Sequence, residues 1–327
     1  MTKIKIAAPA KINLHLRIGD RRPDGFHDIE SLFLALDFGD TLRIETLPDA
    51  ARTEGALAGT EIHMDWRLPH GPKPIPQLPP EKNIVSQAVS LFRKRTGYGK
   101  RLRIDIEKRI PLGGGLGGGS SNAASTLLAL NRLASPDPKG LLSRKALAEM
   151  GEALGSDVPF FVYETTAAWV SGRGERVQPI RLPEGVRSLP LLLVNPGFHS
   201  DTAGAFRLLD EYRQAAPRRA LAGSGSFSPD NLPGIFASPP QDWPFSNDFL
   251  AVFEALQPPL PNEPNLAYHR KIIPSLRKFG ANFAGLSGSG STCFGIFLHN
   301  SRANFAKKLL LKHWPCVFET FCLHISH

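Results

Sequence analysis

Residues 111–125 read Pro-Leu-Gly-Gly-Gly-Leu-Gly-Gly-Gly-Ser-Ser-Asn-Ala-Ala-Ser, with glycine at every position of 113–119 except Leu116. Such a stretch carries almost no side chain to keep a ligand away from its backbone. Glycine also reaches backbone angles closed to other residues and lets consecutive N–H groups converge on one point. The flanks are regular. Leu102, Ile104 and Ile106 alternate with Arg103, Asp105 and Glu107, the period of a half-buried strand. Ala124, Leu127 and Leu128 fall at i, i+3 and i+4, which predicts a helix whose first turn Ser120 or Ser121 can cap. A strand, a glycine loop and a helix N-terminus in succession offer free N–H groups and a positive dipole end to an anion. The stretch reads as a phosphate-binding loop.

Gly113, Gly115 and Gly118 satisfy G-x-G-x-x-G, but a dinucleotide-binding unit needs a second strand ending in Asp or Glu about 20 residues on. Here that region is the turn sequence Ser-Pro-Asp-Pro-Lys-Gly at 135–140. No Lys follows the last glycine, so the P-loop pattern fails as well. A flexible linker would not be bounded by a strand and a helix.

The chain has 327 residues, enough for one large or two ordinary domains. Lys and Arg outnumber Asp and Glu by 39 to 30, a formal charge of +9 that suits anionic partners. The basic residues are scattered and nowhere interleaved with aromatics, so a phosphorylated small molecule accounts for the charge as well as nucleic acid does. Three cysteines (Cys293, Cys316, Cys322) without metal-ligand spacing argue for a reducing compartment and small core residues. No stretch approaches the ~20 apolar residues of a membrane span, nor does residue 1 open a secretory signal. A cytoplasmic protein with no membrane or nucleic-acid partner is expected.

In chain order, residues 3–18 read as strand, with Lys11, Asn13, His15 and Arg17 sharing one face. Pro-Asp-Gly at 23–25 is a tight turn leading into Phe26 and His27, and 41–45 alternate as a further strand. Seven prolines and no period over 48–80 predict a long loop. Val85, Ala88, Val89 and Phe92 mark a helix ended by Gly97. Residues 143–154 predict another, with Gly155 in the C-cap position. Asp157 then sits before the apolar run 160–163, read as a buried strand, where it either caps backbone or is held for chemistry. A second unit begins near 186, with a strand at 191–194, a helix at 201–213, a loop at 214–246, and helices ending at Leu256 and Gly280. A Gly-Ser hairpin at 285–292 follows, then a helix from Ser301 and a strand from Val317. Strands and helices mixed without strict βαβ alternation predict an α+β fold, divided into 1–185 and 186–327.

The pattern Pro-x-Gly-Gly-Gly-Leu-Gly-Gly-Gly-Ser-Ser-Asn resembles the ATP loop of the GHMP kinases. Its long form followed by Ala-Ala is most similar to the kinases of 4-diphosphocytidyl-2-C-methyl-D-erythritol. Segments 9–16, 21–33, 155–160 and 285–292 resemble that family in the same order. The resemblance implies a two-domain fold with a mixed N-terminal domain and a ferredoxin-like C-terminal one. It implies ATP and Mg²⁺ as cofactors, a cytidylyl alcohol as substrate, and a monomer or weak homodimer; the sequence itself assigns no acidic metal ligand. By the same resemblance Lys11 and Asp157 are catalytic, Asp157 as the general base. Pro111, Leu112, Gly113, Gly114, Gly115, Leu116, Gly117, Gly118, Gly119, Ser120 and Ser121 hold ATP, with Asn83 and Lys108 beside the adenine. Asn13, Phe26, His27, Thr202 and Phe206 hold the substrate, Phe26 and Phe206 as stacking rings on the cytosine. A bulky side chain at Gly115 is expected to block the nucleotide. A homoserine or mevalonate kinase, or a non-catalytic nucleotide sensor of the same fold, is the alternative.

Overall fold

A computed structural model describes residues 2–48, 59–68, 79, 82–135, 137, 140–215, 228–256 and 267–323. Its spine is a long antiparallel ribbon of β1 (Lys3–Arg21) and β2 (His27–Thr46). Residues 41–45 are thus the far end of a strand that already starts at His27. After β3 (Thr60–Trp66) the chain forms β4 (Leu102–Lys108), which pairs with the distal half of β2. β5 (Ala167–Gly172) pairs with its proximal half, and β6 (Arg176–Pro179) extends the sheet. Four helices cover one face: α1 (Ile84–Thr96), α2 (Gly118–Leu133), α3 (Arg144–Glu152) and α4 (Val158–Val162). Phe33, Ile104, Phe92, Leu127 and Phe160 lie in the core between them. Helix α2 is buried throughout 121–131. The loop that precedes it is therefore mounted on the most enclosed helix of this layer.

Past the short α5 (Glu184–Arg187) the second sheet is built from β7 (Leu191–Asn195), β8 (Phe283–Leu286), β9 (Cys293–Ile296) and β10 (Cys316–Thr320). Its antiparallel order β10-β7-β9-β8 is the ferredoxin-like one. Helices α6 (Thr202–Ala215), α7 (Leu232–Ala237), α8 (Asp248–Ala255), α9 (His269–Lys278) and α10 (Asn300–Leu310) accompany it. One apolar cluster joins the sheets, with Ile12, Leu34 and Trp169 from the first and Leu193, Phe294 and Ile296 from the second. His15 lies in this seam, stacked on Trp169 at 6.0 Å. Burial lowers its pKa to about 4, so it packs as a neutral ring rather than lying on a charged face.

Four expectations fail for identifiable reasons. The loop predicted at 48–80 contains β3, whose residues show no buried alternation. That strand is an edge held by parallel pairing to β4 and by Arg103–Glu61 at 3.1 Å, contacts without a periodic signal. The loop at 214–246 contains α7, anchored only by Leu232 and Phe236, and two single 3₁₀ turns. The rest of both loops lies outside the described residues. The run 160–163 belongs to helix α4 and its C-cap rather than a strand; Pro159 occupies its first turn, where a missing N–H costs nothing. Gly155 is not left-handed; it closes α3 by donating to Gly151 O at 3.1 Å.

Candidate active site

The glycine loop is asymmetric in its hydrogen bonding. Its carbonyls are pinned: Gly113 O accepts from Ser200 N (3.0 Å), Gly114 O from Thr292 N (3.1 Å) and Leu116 O from Lys11 N (2.9 Å). Gly115 O accepts from Ser287 Oγ at 2.8 Å. No N–H from Gly113 to Ser120 has a protein acceptor among the described residues. Four donors from other segments hold the peptide planes by one side and leave the amide side for an acceptor-rich ligand. Helix α2 adds its N-terminus, for Gly117 is the N-cap, left-handed at φ 70, and no side chain caps the turn. Ser120 and Ser121 are therefore not caps. They lie inside the first turn, and the buried Ser121 Oγ has no hydrogen-bond partner among the described residues.

The N-terminal end of the loop is clamped. Asp40 accepts from Arg109 N (2.7 Å) and Ile110 N (2.8 Å) and pairs with the Lys108 ammonium. Lys108 is thereby engaged in a buried ion pair, and Asn83 caps α1 by accepting from Val85 N at 2.9 Å. Leu116 anchors the middle, 1 % exposed, while Leu112 is 41 % exposed and Pro111 is buried.

Gly115 carries a packing constraint besides the role expected of it. A Cβ there would lie 2.1 Å from Ser287 O and 2.9 Å from Gly290 O. The missing side chain is what lets the two glycine loops touch, the hairpin lying under the phosphate loop. Gly115→Val is therefore expected to lower the melting temperature by about 5 °C or more together with nucleotide affinity. Thermal melts showing an unchanged midpoint would contradict this packing role.

Lys11 and Asp157 meet beside the loop. Between Lys11 and Asn13 the register of β1 against β2 is unbroken, so strand alternation sets both side chains on one face. Lys11, 4 % exposed, donates from Nζ to Asn13 Oδ1 at 2.6 Å, lies over the Phe33 ring at 4.7 Å, and stands 3.4 Å from Asp157 Oδ2. A Cβ on Gly117 would lie 3.0 Å from Lys11 Cγ, and one on Gly155 3.8 Å from Ser120 Oγ. The Lys–Asp pair thus abuts the first turn of α2. Asp157 holds the N-cap position of α4 but makes no capping hydrogen bond. Of the two roles its sequence context left open, capping has no contact to support it.

The aromatic residues are arranged differently from the expected pair. Phe206 stacks on His27 at 5.0 Å and 19°, and meets Phe249 edge-on at 5.0 Å. His27 is held by Gly19 O at Nδ1 (3.0 Å) and by Asp210 at Nε2 (3.4 Å). Both ring nitrogens are thus engaged within the protein. Phe26 is 53 % exposed on its turn, under the Arg173 guanidinium at 4.8 Å. Thr202 ties α6 to the hairpin through Ser289 Oγ at 2.8 Å. The site therefore runs from the phosphate loop across the hairpin to Thr202 and Phe206.

Sequence reasoning missed Asp40, Ser287 and His199. His199 packs so closely that a Cβ on Gly113 would lie 1.7 Å from its Nδ1. Ser287 at least falls in the singled-out hairpin. Asp40 acts on groups 69 residues away, and no local pattern signals that.

Residues 83–165 match the GHMP kinases N terminal domain and residues 257–316 the GHMP kinases C terminal. A 4-diphosphocytidyl-2-C-methyl-D-erythritol kinase of Treponema pallidum is 34 % identical over 326 residues, covering 98 % of this chain and 100 % of the relative. The chain belongs to that kinase family. The Anaeromyxobacter dehalogenans member is 35 % identical over 295 residues, 89 % of this chain and 79 % of its own. A solved 4-(cytidine 5'-diphospho)-2C-methyl-D-erythritol kinase superposes with a TM-score of 0.72 at 27 % identity, covering 98 % of this chain and all of that one (100 %). Homoserine kinase from Cytophaga hutchinsonii, at 19 % identity and TM-score 0.62 over 98 % of this chain and 95 % of its own, shares the fold.

Proposed function

We propose that the chain transfers the γ-phosphoryl group of ATP to the 2-hydroxyl of 4-diphosphocytidyl-2-C-methyl-D-erythritol, a step of the non-mevalonate isoprenoid pathway. The observation that carries the reading is the run of free amides from Gly113 to Ser120 flanked by the Lys11–Asp157 pair. Phosphoryl transfer asks for positioning and charge neutralisation more than covalent help. The amides of the loop and of the α2 N-terminus hold the β- and γ-phosphates. Lys11, oriented by Asn13, faces the attacking hydroxyl and the transferring group, and Asp157 takes the hydroxyl proton.

The donor set fits a nucleotide that carries Mg²⁺, since the free N–H groups and the Ser120 hydroxyl suit phosphate oxygens. When bound with the nucleotide, the ion would neutralise charge that develops on the phosphates. Division near 186 is supported by the two separate sheets. Three buried, unbridged cysteines support a cytoplasmic setting, and no described helix is long and apolar enough to cross a membrane. We place no nucleic acid among the partners and take the chain as a monomer or weak homodimer.

The exposed Phe26 ring, with Thr202 and Phe206 beyond the hairpin, forms the cytidylyl end. Phe26→Ala is expected to raise KM for the cytidylyl substrate about tenfold, one stacking contact of ~1–3 kcal/mol, with KM for ATP and the melting temperature unchanged. Phe206→Ala removes a ring already packed on two neighbours and should cost stability as well. A Phe26 variant with normal cytidylyl KM would move the base elsewhere. Phosphorus NMR of the product tests the reaction itself. A new phosphomonoester with the cytidylyl diphosphate intact is expected, and attack on the diphosphate would overturn the assignment.

A further inference from the structure

Ser31 lies near the start of β2 (His27–Thr46) and is fully buried at 0 % exposure. Its hydroxyl donates to His15 O at 2.5 Å, and Asn13 Nδ2 donates to its oxygen at 2.9 Å. A carbonyl only accepts, and a serine hydroxyl has one proton. With that proton given to His15 O, Ser31 can meet Asn13 only as an acceptor. The NH₂ end of the Asn13 amide must therefore face Ser31, and its carbonyl end must face Lys11 Nζ at 2.6 Å. The chain His15 O, Ser31 Oγ, Asn13, Lys11 thus has one direction along its whole length. Asn13 is also gripped through its backbone, whose N–H donates to Ser287 Oγ at 3.3 Å. Ser287 in turn holds Gly115 O at 2.8 Å.

We propose that Ser31 is a positioning residue for phosphoryl transfer: it fixes the amide orientation of Asn13, and through it the place of the Lys11 ammonium against Asp157 and the phosphate loop. The inference rests on the catalytic role given to Lys11 above. Without the Ser31 oxygen, the amide is free to turn its NH₂ end toward the ammonium, two donors facing each other. Lys11 then loses its shortest contact and drifts, and displacements of ~1 Å at a reacting centre cost up to about 10²-fold in rate.

Steady-state kinetics on Ser31→Ala, Ser31→Thr, Asn13→Ala and the Ser31→Ala/Asn13→Ala double variant test this, with Lys11→Met alongside. Ser31→Ala should lower kcat about tenfold at unchanged KM for ATP, Ser31→Thr should restore it, and the double variant should be no worse than Asn13→Ala alone. A Ser31→Ala protein that melts earlier but keeps its kcat would reduce the hydroxyl to a structural contact. Additive losses in the double variant would mean that Ser31 does not act through Asn13. Should Ser31→Ala fail to fold, Ser31→Cys keeps the shape with a weaker donor and should show a partial kcat loss; full kcat would overturn the proposal. If Lys11→Met retains turnover, the role of Lys11 fails first, which separates that failure from a failure at Ser31.

Discussion

Asp157→Asn is expected to remain folded and to bind ATP while losing about 10²–10⁴-fold in turnover. The carboxylate makes no capping bond at the N-terminus of α4, so an isosteric amide removes no local support. Its charged neighbour is Lys11 at 3.4 Å, and that ammonium keeps Asn13 Oδ1 as an acceptor in the variant. What disappears is the group that can take a proton beside the loop. A variant that keeps most of its turnover would remove Asp157 from the chemistry and leave only its contact with Lys11.

Lys11→Met should lower kcat on the order of 10²–10³-fold, the loss seen when one preorganised donor to a developing charge is deleted. Methionine keeps the aliphatic stem that passes Gly117 and removes the ammonium that lies over the Phe33 ring. The loop itself is held by the backbone N–H of residue 11, which donates to Leu116 O at 2.9 Å and survives the substitution. KM for ATP should therefore change little, because the charge acts mainly as the phosphoryl group moves. Removing one member of a buried ion pair usually destabilises, but Asp157 is 28 % exposed and can be solvated, so the melting temperature should hold. Unchanged kcat with a raised KM for ATP would make Lys11 a phosphate-binding cation only.

What the chain discloses without a structure follows from which interactions are local. The glycine loop between an alternating strand and a periodic helix was legible because both periods and the glycines lie within one short stretch. The shared face of Lys11 and Asn13 was legible from strand period alone, and their contact bears it out. The pinning of the loop carbonyls was not. It depends on Ser200, Ser287 and Thr292, which the second sheet brings back to Gly113, Gly114 and Gly115. Strand β3 escaped notice because pairing and charge hold it rather than a buried face. The run 160–163 was misread because four apolar residues carry no period long enough to separate strand from helix. The stack of His27 on Phe206 joins β2 to α6, and side-chain pairing between a strand and a helix so far apart in the chain leaves no trace in sequence spacing.

Turnover of ATP with 4-diphosphocytidyl-2-C-methyl-D-erythritol, mevalonate and homoserine, compared as kcat/KM on one enzyme preparation, tests the central claim most directly. The fold alone is shared with homoserine and mevalonate kinases, so the result turns on the cytidylyl end and on how it seats the hydroxyl between Lys11 and Asp157. The cytidylyl alcohol should be preferred by a factor of about 10³ or more, since buried polar groups built to meet one substrate reject those that leave them unpaired. Comparable turnover of mevalonate or homoserine, or of all three, would contradict the account.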